Sequence, residues 1–244
     1  MRLIRDAFAD DPALDVAVSR AILEQVAAGE LPETMRLARP GAMVAFAKQD
    51  AVSDGYAAAA RAARAGHFEA VLRLAGGRAA VFHEQTIAFA RALPESNPRA
   101  GIHARFEAVA ELLARAFRRL GVDARVGEVP GEYCPGGWSV NARGRTKLAG
   151  LGQRLIGGAA HMGAVVVVDQ GERVRDVLVP VYEALGLEWD PATTGSLAAE
   201  APGIGWDDVA AAILAEHGEL EEAELDPETL ALARRLAPEH RAPG

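Results

Sequence analysis

Reactive side chains are scarce in this chain, and two of the scarcest lie close together. Cys134 is the only cysteine among 244 residues, and of 26 basic side chains only Lys48 and Lys147 are lysines. Cys134 and Lys147 share the stretch GEYCPGGWSVNARGRTKLAGLGQRLIGGAAHMG, residues 131–163. From Tyr133 through Val168 there is no Asp or Glu, whereas Arg143, Arg145, Lys147 and Arg154 are all cationic. Such a field lowers a thiol pKa and draws in carboxylates, phosphates or acidic protein surfaces. The thiolate is the nucleophilic form of cysteine, and lysine, unlike arginine, can surrender a proton at modest cost. The pair therefore suits a nucleophile and a base or proton carrier. The plainer alternative is that Lys147 is a solvated charge and Cys134 a small buried hydrophobe. Pro135, Gly136 and Gly137 favour the first, because they put Cys134 in a loop ahead of a strand rather than inside an apolar run.

A second acid-free run, AVLRLAGGRAAVFH at residues 70–83, carries Arg73 and Arg78 around Gly76-Gly77. Paired glycines let a backbone approach a ligand and aim N–H groups at an anion or carbonyl, although an ordinary hairpin turn uses the same residues. Neither a P-loop nor a GxGxxG turn is present. His83 and His161 read equally as packing residues or ligands. Half of the residues from Lys147 through Ala164 are Gly or Ala. Small side chains on facing strands leave either close strand–helix packing or an apolar slot that would suit a linear acyl chain.

These residues need a scaffold. Half the chain is apolar and the net charge is -8, which argues against sequence-independent nucleic-acid binding. No apolar run reaches the roughly 18 residues needed to span a bilayer. The start, MRLIRDAFADDP, lacks the apolar core of a secretory signal, and one cysteine makes neither an internal disulfide nor a Cys-rich metal site. A reducing cytoplasm and no bound metal are expected. Asp11-Pro12 opens a helix with the stripe Leu14, Val18, Ile22 and Val26, stopped by Gly29. Short strands are expected near 2–7, 34–37, 42–46, 70–74, 79–82, 86–89 and 124–126. Ser53 or Asp54 caps an alanine-rich helix to about Ala65, and Ile102, Phe106, Val109, Leu112, Leu113 and Phe117 mark an amphipathic helix ended by Gly121. Strands at 138–142, 147–156 and 159–168 follow the cysteine, then helix interrupted by Pro180, a proline- and glycine-rich linker at 190–205, and two helices at 206–217 and 227–236. The last residues, 238–244, are expected to fray. This strand-rich pattern agrees with the α/β (α+β) fold, a mixed, largely antiparallel sheet flanked by helices, that the family resemblance given next implies. A catalytic domain over 1–188 and a linker with a small helical C-terminal appendage over 189–244 complete it.

The run LRLAGGRAAVFH, the cysteine loop and GRTKLAGLGQRLIGGAAHMG together resemble the biotin/lipoate protein ligase superfamily, and within it the octanoyl- and lipoyltransferases, over about residues 30–185. The specific points are Arg73, Gly76 and Gly77 in the turn, Lys147, Ala149 and Gly150 in the lysine segment, and the strand start His161 to Gly163. The resemblance implies that turn and lysine segment line an acyl site and that Lys147 contacts the acyl carbonyl. It implies a site of Cys134 and Lys147 as catalytic groups, with Arg73, Gly76, Gly77, Arg78, His83, Ala149, Gly150, Leu151, Gly152, His161 and Gly163 around the substrate. Gly131-Glu132-Tyr133-Cys134-Pro135-Gly136 resembles the upstream cysteine loop of a transferase branch found in many Gram-positive bacteria. The best-known octanoyltransferases instead carry their nucleophile where this chain has Gly158 and Ala159. ATP-using ligases carry a third turn glycine that is missing here, and the GRGR-like signature of biotin ligases is absent. The implied reaction passes an octanoyl or lipoyl group from an acyl carrier or octanoylated donor protein, through a Cys134 thioester, to a lysine of a lipoyl domain, without a nucleotide cofactor. An ATP- and Mg-dependent lipoate ligase and a non-catalytic acyl-binding scaffold are the alternatives.

Overall fold

The computed structural model describes residues 1–242. Its strands are β1 (Arg2–Ile4), β2 (Thr34–Ala38), β3 (Met43–Phe46), β4 (Glu69–Leu72), β5 (Ala80–Phe82), β6 (Thr86–Pro94), β7 (Ala124–Val126), β8 (Val140–Ala142), β9 (Thr146–Ile156), β10 (Ala159–Val167) and β11 (Glu221–Glu222). The α-helices are α1 (Pro12–Ala28), α2 (Lys48–Ala51), α3 (Tyr56–Ala65), α4 (Ile102–Arg119), α5 (Gly171–Leu185), α6 (Leu197–Glu200), α7 (Trp206–Leu214) and α8 (Pro227–Leu236). One sheet runs β11-β1-β2-β6-β10-β9-β8-β7 and a smaller one β4-β3-β5. The large sheet is antiparallel except where β1 pairs with β2 and β11, in agreement with the mixed, largely antiparallel expectation.

The apolar periodicities become the two covers of this sheet. The stripe of α4 packs Val109, Leu113 and Phe117 against Leu37, Ile87, Val140 and Met162. On the other face α1, capped by the Asp11 carboxylate accepting from Leu14 N at 3.2 Å, packs Val18 and Ile22 against Ala92 and Ala159. The smaller sheet is closed by α3 and α5.

Several boundaries differ from the expectations. Ser53 does not open α3; its hydroxyl donates to Asp50 O at 2.7 Å and closes the short α2, so α3 begins at Tyr56. Strand β6 continues past Phe89 to Pro94, because each of its residues pairs with β10 and those from Ala88 to Ala92 also pair with β2. Helix α5 runs through Pro180, which lies on an exposed face along with Asp176 one turn before it. Val177, Leu178, Val181 and Tyr182 anchor the helix in the core on both sides of the proline. The expected C-terminal helices are α7 and α8. They dock on the body: Val209 and Ile213 are fully buried in the α4 core, and α8 packs along α1. Leu197, within the expected linker, is equally buried. Residues 237–240 form a 3-10 helix and Ala242 N donates to Ala70 O at 3.2 Å, so the tail is anchored that far; of the segment expected to fray, 243 and 244 lie outside the described residues. Among the described residues no helix is long and apolar enough to cross a membrane.

Candidate active site

The loop between β7 and β8 is organised from inside by one carboxylate. Glu132 is buried; one of its oxygens accepts from Val129 N at 3.1 Å, the other from Gly136 N at 3.2 Å, Ser139 Oγ at 2.5 Å and Lys147 Nζ at 2.9 Å. Ser139 is thereby held in the loop, and β8 starts at Val140 rather than at Trp138. Lys147, the largest departure from small side chains in its part of β9, is only 1% exposed. Its other protons go to the carbonyls of Tyr133 and Cys134, each 2.9 Å away, and its ammonium lies 4.8 Å from the Tyr133 ring centre. The expected proton carrier therefore has all three donors engaged in holding the cysteine loop. A buried ion pair offsets its desolvation when its remaining protons and lone pairs are bonded, as they are here.

Cys134 adopts φ +44°, a left-handed conformation that costs a side-chain-bearing residue roughly 1–2 kcal/mol. Its N–H donates to Tyr182 Oη at 2.8 Å, and Tyr182 donates to Ala79 O at 3.0 Å. Its Sγ accepts from Arg78 N at 3.2 Å and from Arg73 Nη2 at 3.4 Å. Burial pushes the thiol pKa up, but the Arg73 and Lys147 charges and the Arg78 N–H outweigh it, so the thiol lies below its ordinary value. Gly77 makes the approach of turn and thiol feasible. Its φ is +101°, and an added Cβ would stand 2.9 Å from Sγ and 2.5 Å from Arg73 Nη2. Behind the turn, Arg78 pairs with the buried Asp50 at 3.2 Å and Gln49 donates to Gly77 O.

Cavities lie on both sides of the Arg73–Gly77 turn. Cys134 opens on a cleft of about 380 Å³ walled by Gly76, Gly77, Ile102, Phe106, Trp138 and Leu151, with Gly152 also in its lining. A narrower, mostly apolar cavity of about 90 Å³ lies among Leu74, Ala75, Phe82, Ala88, Gly150 and Gly163. Arg73 also lines it, and its polar side is the buried Asp15–Arg36 ion pair together with His161. Burial lowers the His161 pKa to about 4, so its ring is neutral near pH 7. The ring lies over Gly163, where an added Cβ would be 3.0 Å from Nε2.

The structure thus gathers Cys134, Lys147, Arg73, Gly77 and Arg78 at one point, with Gly76, Leu151 and Gly152 in the thiol cleft and Gly150, His161 and Gly163 in the narrower cavity. Ala149 is packed in the α4 core, between Val140 of β8 and Val166 of β10. His83 lines neither cavity. It is buried in the β5–β6 turn, its Nδ1 accepting from Gln85 N at 3.2 Å, and burial reinforced by Arg173 lowers its pKa to about 4. Glu132 and Tyr182 were not among the residues that sequence reasoning assigned to the site. Glu132 had two usable signals, as the acid that directly borders the acid-free run and as a member of the Gly131–Gly136 motif that resembles a cysteine loop; Tyr182, on α5, had none. Among the described residues no three His, Cys, Asp or Glu side chains gather where they could hold a metal ion.

The chain is 25% identical over 166 residues to the octanoyl-[GcvH]:protein N-octanoyltransferase of Geobacillus kaustophilus, covering 68% of this chain and 55% of that protein. It is 32% identical over 123 residues to the enzyme of the same name from Exiguobacterium sibiricum, covering 50% and 44%. The chain spans about half the length of the curated relatives it matches. Its fold is similar to a lipoate-protein ligase A bound with ATP, with TM-score 0.75, 18% identity and coverage of 97% of this chain and 94% of that one. It is also similar to a bi-partite lipoate protein ligase of Thermoplasma acidophilum described with its E2 lipoyl domain, with TM-score 0.73, 17% identity and coverage of 97% and 91%. The model of the lipoyl protein ligase A/B catalytic domain matches residues 11–218, and the chain belongs to that family.

Proposed function

We propose that this protein is a cysteine acyltransferase that moves an octanoyl or lipoyl group from a carrier protein to a lysine of a lipoyl domain in the cytoplasm. The observation that carries this reading is the Cys134 thiol, held at the mouth of a cleft with Arg78 N and Arg73 Nη2 within 3.4 Å of Sγ. The thiolate attacks the acyl carbonyl carbon of the donor. The bond from that carbon to the donor breaks, the donor's amine or thiol takes up the proton given by Cys134, and a thioester remains on Sγ. A free lysine amine of the acceptor then attacks the thioester carbon. The C–N bond forms, the C–S bond breaks, and the proton lost by nitrogen returns to the thiolate. Arg73 and the Arg78 N–H stabilise the thiolate first and offer donors to the oxyanion as charge moves onto the carbonyl oxygen. Lys147 contributes its positive charge and its hold on the Cys134 carbonyl. The small residues Gly150 and Gly163 leave room for the acyl chain. Transfer from amide to amide exchanges like bonds, and transfer from thioester to amide runs downhill, so neither requires a nucleotide. The names of the curated relatives support an octanoylated GcvH-like donor.

The test incubates the protein with octanoylated carrier protein and an apo lipoyl domain, with and without ATP and magnesium. The expected result is nucleotide-independent transfer and a hydroxylamine-labile octanoyl adduct on Cys134, read by intact mass. Modification of the lipoyl domain only from free octanoate plus ATP would instead identify a ligase and sink the role given to Cys134. An unmodified thiol of ordinary pKa and no transfer at all would identify an acyl-binding scaffold.

A further inference from the structure

We infer that Tyr182 is the positioning residue of the nucleophile, locking Cys134 in its left-handed conformation and setting its distance from the turn that donates to it. The inference rests on the reading of Cys134 as the nucleophile. A side-chain-bearing residue does not stay in the left-handed region unless its neighbours over-determine it. At Cys134 both flanking peptide groups are held: Lys147 Nζ donates to the carbonyl at 2.9 Å, and the N–H donates to Tyr182 Oη at 2.8 Å. Lys147 acts from β9 and Tyr182 from α5.

The same phenol does a second thing. It donates to Ala79 O at 3.0 Å, and Ala79 follows Arg78, whose N–H bonds Sγ at 3.2 Å. One oxygen therefore ties the loop that carries the thiol to the turn that carries its donor. The bridge needs a group that accepts and donates at one atom on a rigid arm, which a phenol supplies. The Tyr182 ring is 2% exposed and lies against Trp189, centroids 5.4 Å apart, so the arm has no other place to go. Phenylalanine would keep the ring and its packing and leave Cys134 N and Ala79 O without their partner. Freed from this tie, Cys134 can relax toward an ordinary backbone conformation, and Sγ then leaves Arg78 N and Arg73.

The experiment compares Tyr182→Phe with Val181→Ala. Val181 is a fully buried neighbour on the same helix that packs in the α3–α5 core, and its truncation destabilises without removing the bridge. For each full-length variant, the pH midpoint of Cys134 alkylation by iodoacetamide, the single-turnover rate of acyl loading from octanoylated carrier protein, and the melting temperature are measured. The charged groups around the thiol, namely Arg73, Lys147, Glu132, Arg78 and Asp50, are intact in both variants, so a moved midpoint reports a moved sulfur. Tyr182→Phe is expected to raise the midpoint toward that of an ordinary thiol and to slow loading by about tenfold or more, the scale of one lost buried hydrogen bond. Val181→Ala is expected to lower the melting temperature and leave the midpoint at the wild-type value. A wild-type midpoint and loading rate in Tyr182→Phe overturn the inference, as does a midpoint that follows the melting temperature alike in both variants. Alkylation reports the thiol itself, so a Cys134→Ala protein that still transferred acyl groups would overturn the proposed function and leave this measurement able to decide the positioning.

Discussion

The two sides of the Arg73–Gly77 turn are built on opposite principles. On the thiol side, position is over-determined: Glu132, Lys147 and Tyr182 hold one short loop by eight hydrogen bonds to its own backbone, side chains and neighbours. On the other side, the cavity exists because side chains are missing, at Gly150, Gly163, Ala75 and Ala88. A polar network of that kind is costly when one member is removed, whereas a cavity wall tolerates change and answers with altered shape. Substitutions in the loop should therefore act on rate and stability, and substitutions in the small-residue wall on which acyl chain is accepted.

The sharpest break is Cys134→Ala. It is expected to reduce transfer by at least about 10³-fold, since the chain has no second cysteine, while the melting temperature moves by no more than about 2 °C. Octanoyl transfer by this variant at the wild-type rate would falsify covalent catalysis. Next comes Lys147. Lys147→Met leaves Glu132 buried without its partner, an expected loss of about 3–5 kcal/mol in denaturant melts. The double variant Glu132→Met with Lys147→Met removes the stranded charge but leaves Val129 N, Gly136 N, Ser139 Oγ and the Tyr133 and Cys134 carbonyls without partners, so only a small part of that stability should return, and no transfer. Lys147→Arg keeps the charge but cannot place three donors on one compact centre, and a rate loss of at least about 10²-fold is expected. Retention of half the activity would mean that the charge alone matters.

A smaller effect concerns pH. The folded thiol pKa lies below the unfolded value of about 8.5, so the thiolate form favours the folded state. That contribution is fully present above the unfolded pKa and is lost as pH falls through the folded one. The stability of the wild type relative to Cys134→Ser should therefore rise from pH 6 toward pH 9; a flat difference would remove the depressed thiol from the account. The smallest expected change in overall rate, and the clearest change in selectivity, belongs to Gly163→Val. Filling this wall should cut octanoyl loading by about tenfold relative to butyryl loading, read by competition between the two donors. An equal effect on both would place the chain elsewhere.

How far the chain was legible depends on the range of the interaction. The α4 stripe, the Asp11 cap and the long hairpin β9–β10 follow from local spacing and turn residues, and the structure bears them out. The continuation of α5 through Pro180 was not legible, because burial of Val177 and Tyr182 outweighs the missing N–H. Ser53 misled because its hydroxyl serves the end of α2, not the start of α3. His83 and His161 looked alike as isolated histidines in strand-rich runs, yet one closes a turn and the other faces the narrow cavity, a difference of sheet register and not of local composition.

By itself the sequence determined which reactive groups exist and which are rare: one thiol, two lysines, an acid-free cationic run and a glycine turn. Those are properties of composition and of residues near one another in the chain. Only the tertiary structure decided which of their protons and lone pairs are free. Lys147 meets Glu132 across fifteen residues and Cys134 meets Tyr182 across forty-eight, contacts no local pattern encodes. Folding turned the expected base into a buried anchor and left the thiol, beside Arg73 and Arg78, as the group exposed to the cleft.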